Sequence, residues 1–398
     1  MALTLSDKAA QVKPSSTLAI TAKAKKMKAE GIDVVGFGAG EPDYNTPDHI
    51  NEAAVAAIKS GFTKYTPASG TEELKRAVCK KFQKFNGLHY EPDQIVISNG
   101  GKHSLSNVFQ AILNAGDEVI IPAPYWLTYP EIVKLNDGTP IYIYGTKDTC
   151  YKVTAKQIED VITDKTKALI LNTPNNPTGM VYSEEELRAI AEVAVRKDIY
   201  VVADEMYENL IYDGWKHVSI ASLGEEIYKR TITCSGLSKS YSMTGWRIGY
   251  TGSSVKIAKL MGSIQSHQTS NPNSIAQKAA LEALEGPQDT VAVMREEFDK
   301  RRKYMCERIN RMPLIDVLTP EGAFYLFVDF TDVLEKSYKG MRIGTANRAA
   351  EILIEDFQVA VVPCQDFGFD NFIRLSYAIS MKAIEKGLDR IEKFLSSL

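Results

Sequence analysis

The chain has 398 residues, 44% hydrophobic and 24% charged, with a net charge of −3. That length buries a large core, usually shared between domains, and the absence of a long basic run argues against nucleic acid, whose affinity rests on phosphate neutralisation. Five scattered cysteines without a C-x-x-C pair and five histidines without H-E-x-x-H speak against a disulfide framework and a metal site, and for a reducing compartment. No apolar run is long enough for a signal peptide or a membrane helix, so the expectation is a cytoplasmic protein.

In chain order, "KAKKMK" (23–28) reads as the wet face of a helix. "VVGFGAGEPD" (34–43) imitates a dinucleotide fingerprint, but Glu41 stands at the third glycine position and Pro42 follows where a helix should open. It reads instead as a strand-ending turn with the backbone of Gly40 facing a pocket. From about residue 94, short apolar runs alternate with amphipathic helical stretches. "QIVIS" precedes "GKHSLSNVFQAILNAG", "DEVIIP" precedes "YWLTYPEIVKLNDG", and "KALILN" precedes "SEEELRAIAEVAVRK"; "IYVVADE", "RTITCSG" and "RIGYTG" follow. Continuous apolar strands separated by helices predict a mostly parallel sheet covered on both faces, an α/β fold. Ser183, with Glu186 three residues on, predicts a capping box. After about 252 come long helices at 253–265, 273–286 and 288–311. The strands "GAFYLFVDF", "QVAVVP" and "NFIRLSYA" follow, then a final helix at 382–398. The expected division is an arm and part of a small domain over 1–47, a large domain over 48–287, and a small α+β domain over 288–398.

The chemistry concentrates at strand ends. "ISNGGKHS" (97–104) ends a strand and opens a helix. Its glycines and free N–H groups suit a phosphate, and Lys102 adds charge. "NTPNNPTG" (172–179), "VVADEMY" (201–207) and "SGLSK" (235–239) end three further strands. Ligands in open α/β sheets collect beyond the carboxyl ends of strands, so Asn176, Asp204, Tyr207 and Lys239 should converge. An amine, a carboxylate, a phenol and a phosphate cradle around one small ligand match pyridoxal 5'-phosphate.

With "GAGEPD", "NNPTG" and "SKSYSMTGWRIGY", the whole chain resembles a class I aminotransferase of the aspartate-aminotransferase superfamily, nearest the bacterial aspartate subgroup. The resemblance implies a fold type I pyridoxal-phosphate enzyme, in which Lys239 is the Schiff-base lysine and Asp204 partners the ring nitrogen. Tyr207 and Asn176 bond the phenolic oxygen. Gly101, Lys102, Ser238 and Arg247 take cofactor-binding positions, Trp126 stacks on the ring, and Arg374 grips the substrate carboxylate with Gly40 and Asn176. Tyr65 reaches the neighbouring subunit's phosphate, which implies a homodimer with shared sites. The implied reaction moves an amino group between an L-amino acid, aspartate or glutamate, and a 2-oxo acid such as 2-oxoglutarate or oxaloacetate. Aromatic or prephenate transamination and a C–S or β-eliminating lyase remain as alternatives.

Two departures stand out. Where many relatives carry a phosphate-binding serine this chain has Gly236, leaving Ser235 or Ser238 to substitute. Where the best-known aspartate enzymes read the distal carboxylate with an arginine it has Ser266, leaving Lys102, Lys13 and Thr17 as candidates. A depressed amine pKa is expected at Lys239, from seclusion and from Arg247 nearby. Taken singly, Asp204 could be a helix cap, Trp126 core, and Arg374 half of a salt bridge.

Overall fold

The computed structural model describes residues 4–10, 12–14 and 16–398. Its centre is a seven-stranded sheet of β1 (Ile95–Ser98), β2 (Glu118–Ala123), β3 (Thr139–Tyr144), β4 (Thr166–Asn172), β5 (Tyr200–Asp204), β6 (Thr231–Gly236) and β7 (Gly249–Gly252), in the order β1-β7-β6-β5-β4-β2-β3. Strands β3, β2, β4, β5 and β6 run parallel, and β7 runs antiparallel to both its neighbours. β3 was not among the expected strands. Its "TPIYIY" is an edge, half-exposed along most of its length, and Pro140 near its start is tolerated at such a position.

Side-chain alternation builds a core on each face. Ile170 and Val202 pack with Val108 and Phe109 of the helix Gly101–Ile112 (α1). Leu169, Leu171, Val201 and Ala203 pack on the other face with Leu187 and Ile190 of the helix Glu184–Arg196. That second helix carries the predicted capping box: Glu186 N–H donates to Ser183 Oγ at 3.2 Å, and Ser183 N–H to Glu186 Oε2 at 2.7 Å.

A separate apolar cluster joins Val35 and Phe37 to residues of the helix Asp289–Ile309 and of the C-terminal segment, among them Met294, Phe298, Phe324, Leu375 and Leu388. Here β8 (Asp316–Val317), β9 (Tyr325–Asp329), β10 (Val362–Pro363) and β11 (Phe372–Ser376) form an antiparallel sheet in the order β10-β11-β9-β8. The run "QVAVVP", expected as one strand, is divided. Val359–Ala360 pairs in parallel with Val35–Gly36, while Val362–Pro363 pairs with β11. An apolar run fixes burial but not which partner each residue finds. No helix among the described residues is long and apolar enough to cross a membrane.

Candidate active site

The carboxyl ends of β2, β4, β5 and β6 open on one side of the sheet. The end of β1 and the start of the antiparallel β7 lie there as well, because β1 runs opposite to β7. A cavity of about 240 Å³ sits at this edge. It is lined by Gly40, Gly101, Lys102, Trp126, Asn176, Asp204, Tyr207, Ser238, Lys239, Arg247 and Arg374, so all the expected site residues but one come together. The exception is Tyr65. It is 90% exposed and does not line the cavity of its own chain. Thr17 and Lys102 also line the cavity; Lys13 does not, and its backbone N–H donates instead to Glu131 Oε2.

Each side chain is aimed by its element. Gly100 caps α1 at φ +87°, a backbone conformation that glycine adopts without cost. A Cβ on Gly100 would lie 2.2 Å from Arg247 Nη2, and one on Gly249 would lie 2.5 Å from Gly101 N. Bare backbone therefore lets the Arg247 guanidinium settle against the start of α1, where first-turn N–H groups have no partner within the helix. Arg247 donates to the carbonyls of Thr244 at 2.8 Å and Asn99 at 3.4 Å, and no carboxylate pairs with it among the described residues. Cation, helix N-terminus and Ser238 together make an anion pocket.

Arg374 is the second anion signal. It lies on β11 between Phe327 and Val362, is 2% exposed, and has no acidic partner among the described residues. Nη1 donates to Asn176 Oδ1 at 2.9 Å and Nη2 to the Gly38 carbonyl at 3.3 Å, while Nε has no partner. The guanidinium lies 4.3 Å from the Tyr325 ring centre. A buried, unpaired cation is expensive unless an anion completes it. The salt-bridge reading of this arginine is thereby set aside.

Between these two cations stand Lys239 and Asp204. Burial pushes the Lys239 amine down to about 8; Glu41 opposes that, and Arg374 and Arg247 add to it. Seclusion is thus the leading cause, and Arg374 contributes ahead of the expected Arg247. Nζ donates to the carbonyl of Gly40. Asp204 is buried, and burial pushes its carboxyl up, against the Tyr129 hydroxyl at 2.7 Å on Oδ2 and the Met206 N–H at 3.1 Å on Oδ1. Lys102 is shifted down by burial and by Arg247, with its ammonium 5.1 Å from the Trp126 ring centre.

The amine's pKa has a direct consequence. Desolvation penalises the ammonium form, so the neutral fraction rises as pH passes 8 rather than 10. In the cofactor-free protein, reductive methylation by formaldehyde should reach half its maximal rate at Lys239 near pH 8, and at surface lysines above pH 10. Peptide mass mapping reads this, and a midpoint above 10 at Lys239 would refute the seclusion argument.

Three contributors went unrecognised in the sequence. Tyr129 bonds Asp204. Tyr325 OH lies 2.9 Å from Tyr207 OH. Asn172 accepts the Asn176 N–H at 2.9 Å and donates to the Asp204 carbonyl at 3.0 Å. Only Asn172, at the end of "KALILN", carried a local signal. Of the two serine candidates, Ser235 is excluded, because its hydroxyl donates to Glu208 Oε1 at 2.7 Å, away from the cavity. A side chain at Gly236 would have only 3.0 Å to the Ile248 carbonyl, so Ser238 is the hydroxyl that remains.

Three cations (Lys102, Arg247 and Arg374) and one carboxylate around a secluded amine, at the strand-end edge of an open α/β sheet, define an enzyme site for small anions that react with an amine. The chain belongs to the class I and II aminotransferase family, whose pattern matches residues 32–391. It is 48% identical over 391 residues to an aspartate aminotransferase of Bacillus sp. strain YM-2, covering 98% of this chain and 99% of that one. It is 46% identical over 396 residues to an aspartate/prephenate aminotransferase of Cereibacter sphaeroides, covering 99% of each. Among solved structures, the aspartate aminotransferase of Rhizobium meliloti superposes with a TM-score of 0.96 at 42% identity, covering 100% of each chain. That of Thermus thermophilus with maleate gives 0.93 at 39%, covering 98% of this chain and 100% of the other. The protein is an aminotransferase with the fold of these enzymes.

Proposed function

We propose that the protein is a pyridoxal-phosphate-dependent aspartate aminotransferase, exchanging the amino group of aspartate or glutamate with 2-oxoglutarate or oxaloacetate. The observation that carries this reading is the buried, unpaired Arg374 facing a secluded amine, with a second anion pocket across the cavity. The residues present fit the cofactor. Arg247, the start of α1 and Ser238 suit its phosphate. Asp204, buried and without a salt-bridge partner among the described residues, suits a protonated ring nitrogen. Tyr207 and Asn176 suit the phenolic oxygen, and Trp126 suits the ring face. When bound, pyridoxal phosphate supplies an electron sink for the bond broken at the amino acid's Cα.

The chain's own residues do the rest. Arg374 binds the substrate α-carboxylate through two parallel N–H bonds, a geometry its planar fork matches. Asn176 already holds that guanidinium, which fixes its orientation before substrate arrives. Lys239, whose amine burial brings to about 8, would be the group that takes and returns the proton at the substrate Cα, a task suited to a base poised near ambient pH. Tyr207 holds its hydroxyl against Tyr325, so it is not free to swing out of the cavity. Lys102, with Thr17 beside the same cavity, is the proposed reader of the distal carboxylate. Tyr65 is proposed to serve the partner subunit of a homodimer, a reading supported by its 90% exposure, and action in the cytoplasm is supported by five free cysteines.

The test is the visible spectrum of the purified holoenzyme mixed with single amino donors. Aspartate and glutamate should shift the cofactor band while alanine leaves it in place, and a product keto acid should accumulate without free ammonia. A shift with alanine equal to that with aspartate would overturn the specificity. Ammonia release would favour an eliminating lyase. The aspartate/prephenate relatives support a second acceptor, prephenate, distinguished by its rate against oxaloacetate.

A further inference from the structure

Behind the cavity lies a set of charged side chains that the transamination reading does not use. Glu205 and Glu208 alternate with Asp204 and Tyr207 along one turn. Asp204 and Tyr207 line the cavity, whereas Glu205 and Glu208 point the other way and are 1% and 8% exposed. Lys81, at the end of the helix Glu72–Lys81, pairs with Glu208 Oε1 at 2.5 Å and donates to Asn86 Oδ1 at 2.9 Å. Asn86 Nδ2 donates to both carboxylates, at 3.0 Å to Glu205 Oε2 and 2.8 Å to Glu208 Oε2. His217 Nε2 lies 2.9 Å from Glu205 Oε2, and Ser235 Oγ of β6 donates to Glu208 Oε1.

We propose that Lys81, Asn86, Glu205, Glu208 and His217 are positioning residues, a buried ionic network that holds the 204–208 turn so that Asp204 and Tyr207 stay aimed into the cavity through the reaction. The inference rests on the aminotransferase reading above. Three observations carry it. First, the network holds Glu205 and Glu208, each the sequence neighbour of a site group (Asp204 and Tyr207), so a backbone displacement at either glutamate would carry its neighbour with it. Second, Ser235 ties the same carboxylate to β6, the strand that leads to Lys239, and Asn209 Nδ2 adds a bond to Ser240 Oγ at 3.0 Å just past that lysine. The amine and the carboxylate are thus referenced to one anchor. Third, a buried ion pair contributes little net stability compared with apolar residues of the same volume, so its presence here fits a role in fixing geometry. Two carboxylates and a histidine within 4.8 Å of one another could also suggest a metal, but the Lys81 ammonium already fills the cationic place at Glu208. Its charge, with His217 and Asn86, holds the Glu208 carboxyl below the usual range against the pull of burial.

The test uses the holoenzyme with Glu208→Gln, Lys81→Met and the milder Ser235→Ala. Each is measured for kcat, for KM of the amino donor, for the pH titration of the cofactor's visible band, and for Tm. The expected result is a kcat lower by roughly tenfold in Glu208→Gln and Lys81→Met, with KM changed by less than about threefold, as for a displaced group acting in the transition state. The band's titration midpoint should move in the same two variants, and Ser235→Ala should show a smaller change of the same kind. Variants whose Tm falls while kcat and the titration stay at wild-type values would overturn the proposal, leaving a structural role only. If Glu208→Gln or Lys81→Met does not fold, Ser235→Ala decides alone: an unmoved midpoint and kcat overturn it. A wild-type protein lacking any cofactor band would instead overturn the aminotransferase reading itself.

Discussion

Lys239→Ala should lower the rate of transamination by a factor on the order of 10⁵–10⁶, the scale of loss when an enzyme's nucleophile is removed. The residue is at once the amine that meets an aldehyde and the base proposed to move the Cα proton, so one substitution removes both functions. The remaining contacts are untouched: Arg247 and the start of α1 still attract a phosphate, and Asp204 is still buried opposite. Cofactor should therefore bind, but without a covalent link. Borohydride reduction followed by peptide mapping should label residue 239 in the wild type and nothing in the variant. Activity within tenfold of wild type would remove the foundation of the mechanism. Tm should change little, because the amine's bond among the described residues is to the carbonyl of Gly40.

Arg374→Leu should lower kcat/KM for the amino donor by about 10² to 10³-fold, the range for breaking a buried charge-paired contact. Arg374→Lys should be nearly as damaging, because an ammonium cannot form the two parallel bonds that a carboxylate accepts. Stability should respond differently from activity. The native guanidinium is buried without a carboxylate, so replacing it with an apolar side chain removes a desolvation cost. The loss of its charge-assisted bonds to Asn176 and the Gly38 carbonyl offsets this by about 1.5–3 kcal/mol each. The ligand-free variant should therefore melt within a few degrees of wild type or above it. A dicarboxylate inhibitor should raise Tm more in the wild type than in the variant, since only in the wild type does the anion complete the arginine. A variant that keeps kcat/KM within threefold would show that the α-carboxylate is bound elsewhere.

Much of the site was legible because its signals are local. A glycine pair before a helix, a proline-rich turn after a strand, and a lysine among small residues each mark a strand end by pattern alone. Parallel topology brings strand ends to one edge without further instruction. Arg374 carries no such mark: it lies inside the strand of "NFIRLSY", and only the resemblance to the family singled it out. What escaped notice has no such local mark. Tyr129 sits in an amphipathic helix 75 residues before the aspartate it bonds. Tyr325 is one aromatic in "GAFYLFVDF" until the fold sets its hydroxyl against Tyr207. Ser235 looked as suitable for a phosphate as Ser238, since the direction of each hydroxyl is settled by which face of the strand end it occupies.

The sequence by itself determined the alternation of strands and helices, the covered sheet, and the residues gathered at its edge, because hydrophobic period and turn chemistry act over a few neighbouring positions. Beyond the lowered amine at Lys239, tertiary structure decided the electrostatics. Nothing local in the sequence marks Lys81, Glu205, Glu208 or His217, yet the fold buries all four side chains together. Whether a charge is solvated, paired or left waiting for a ligand depends on which distant segment covers it. A one-dimensional pattern does not carry that information.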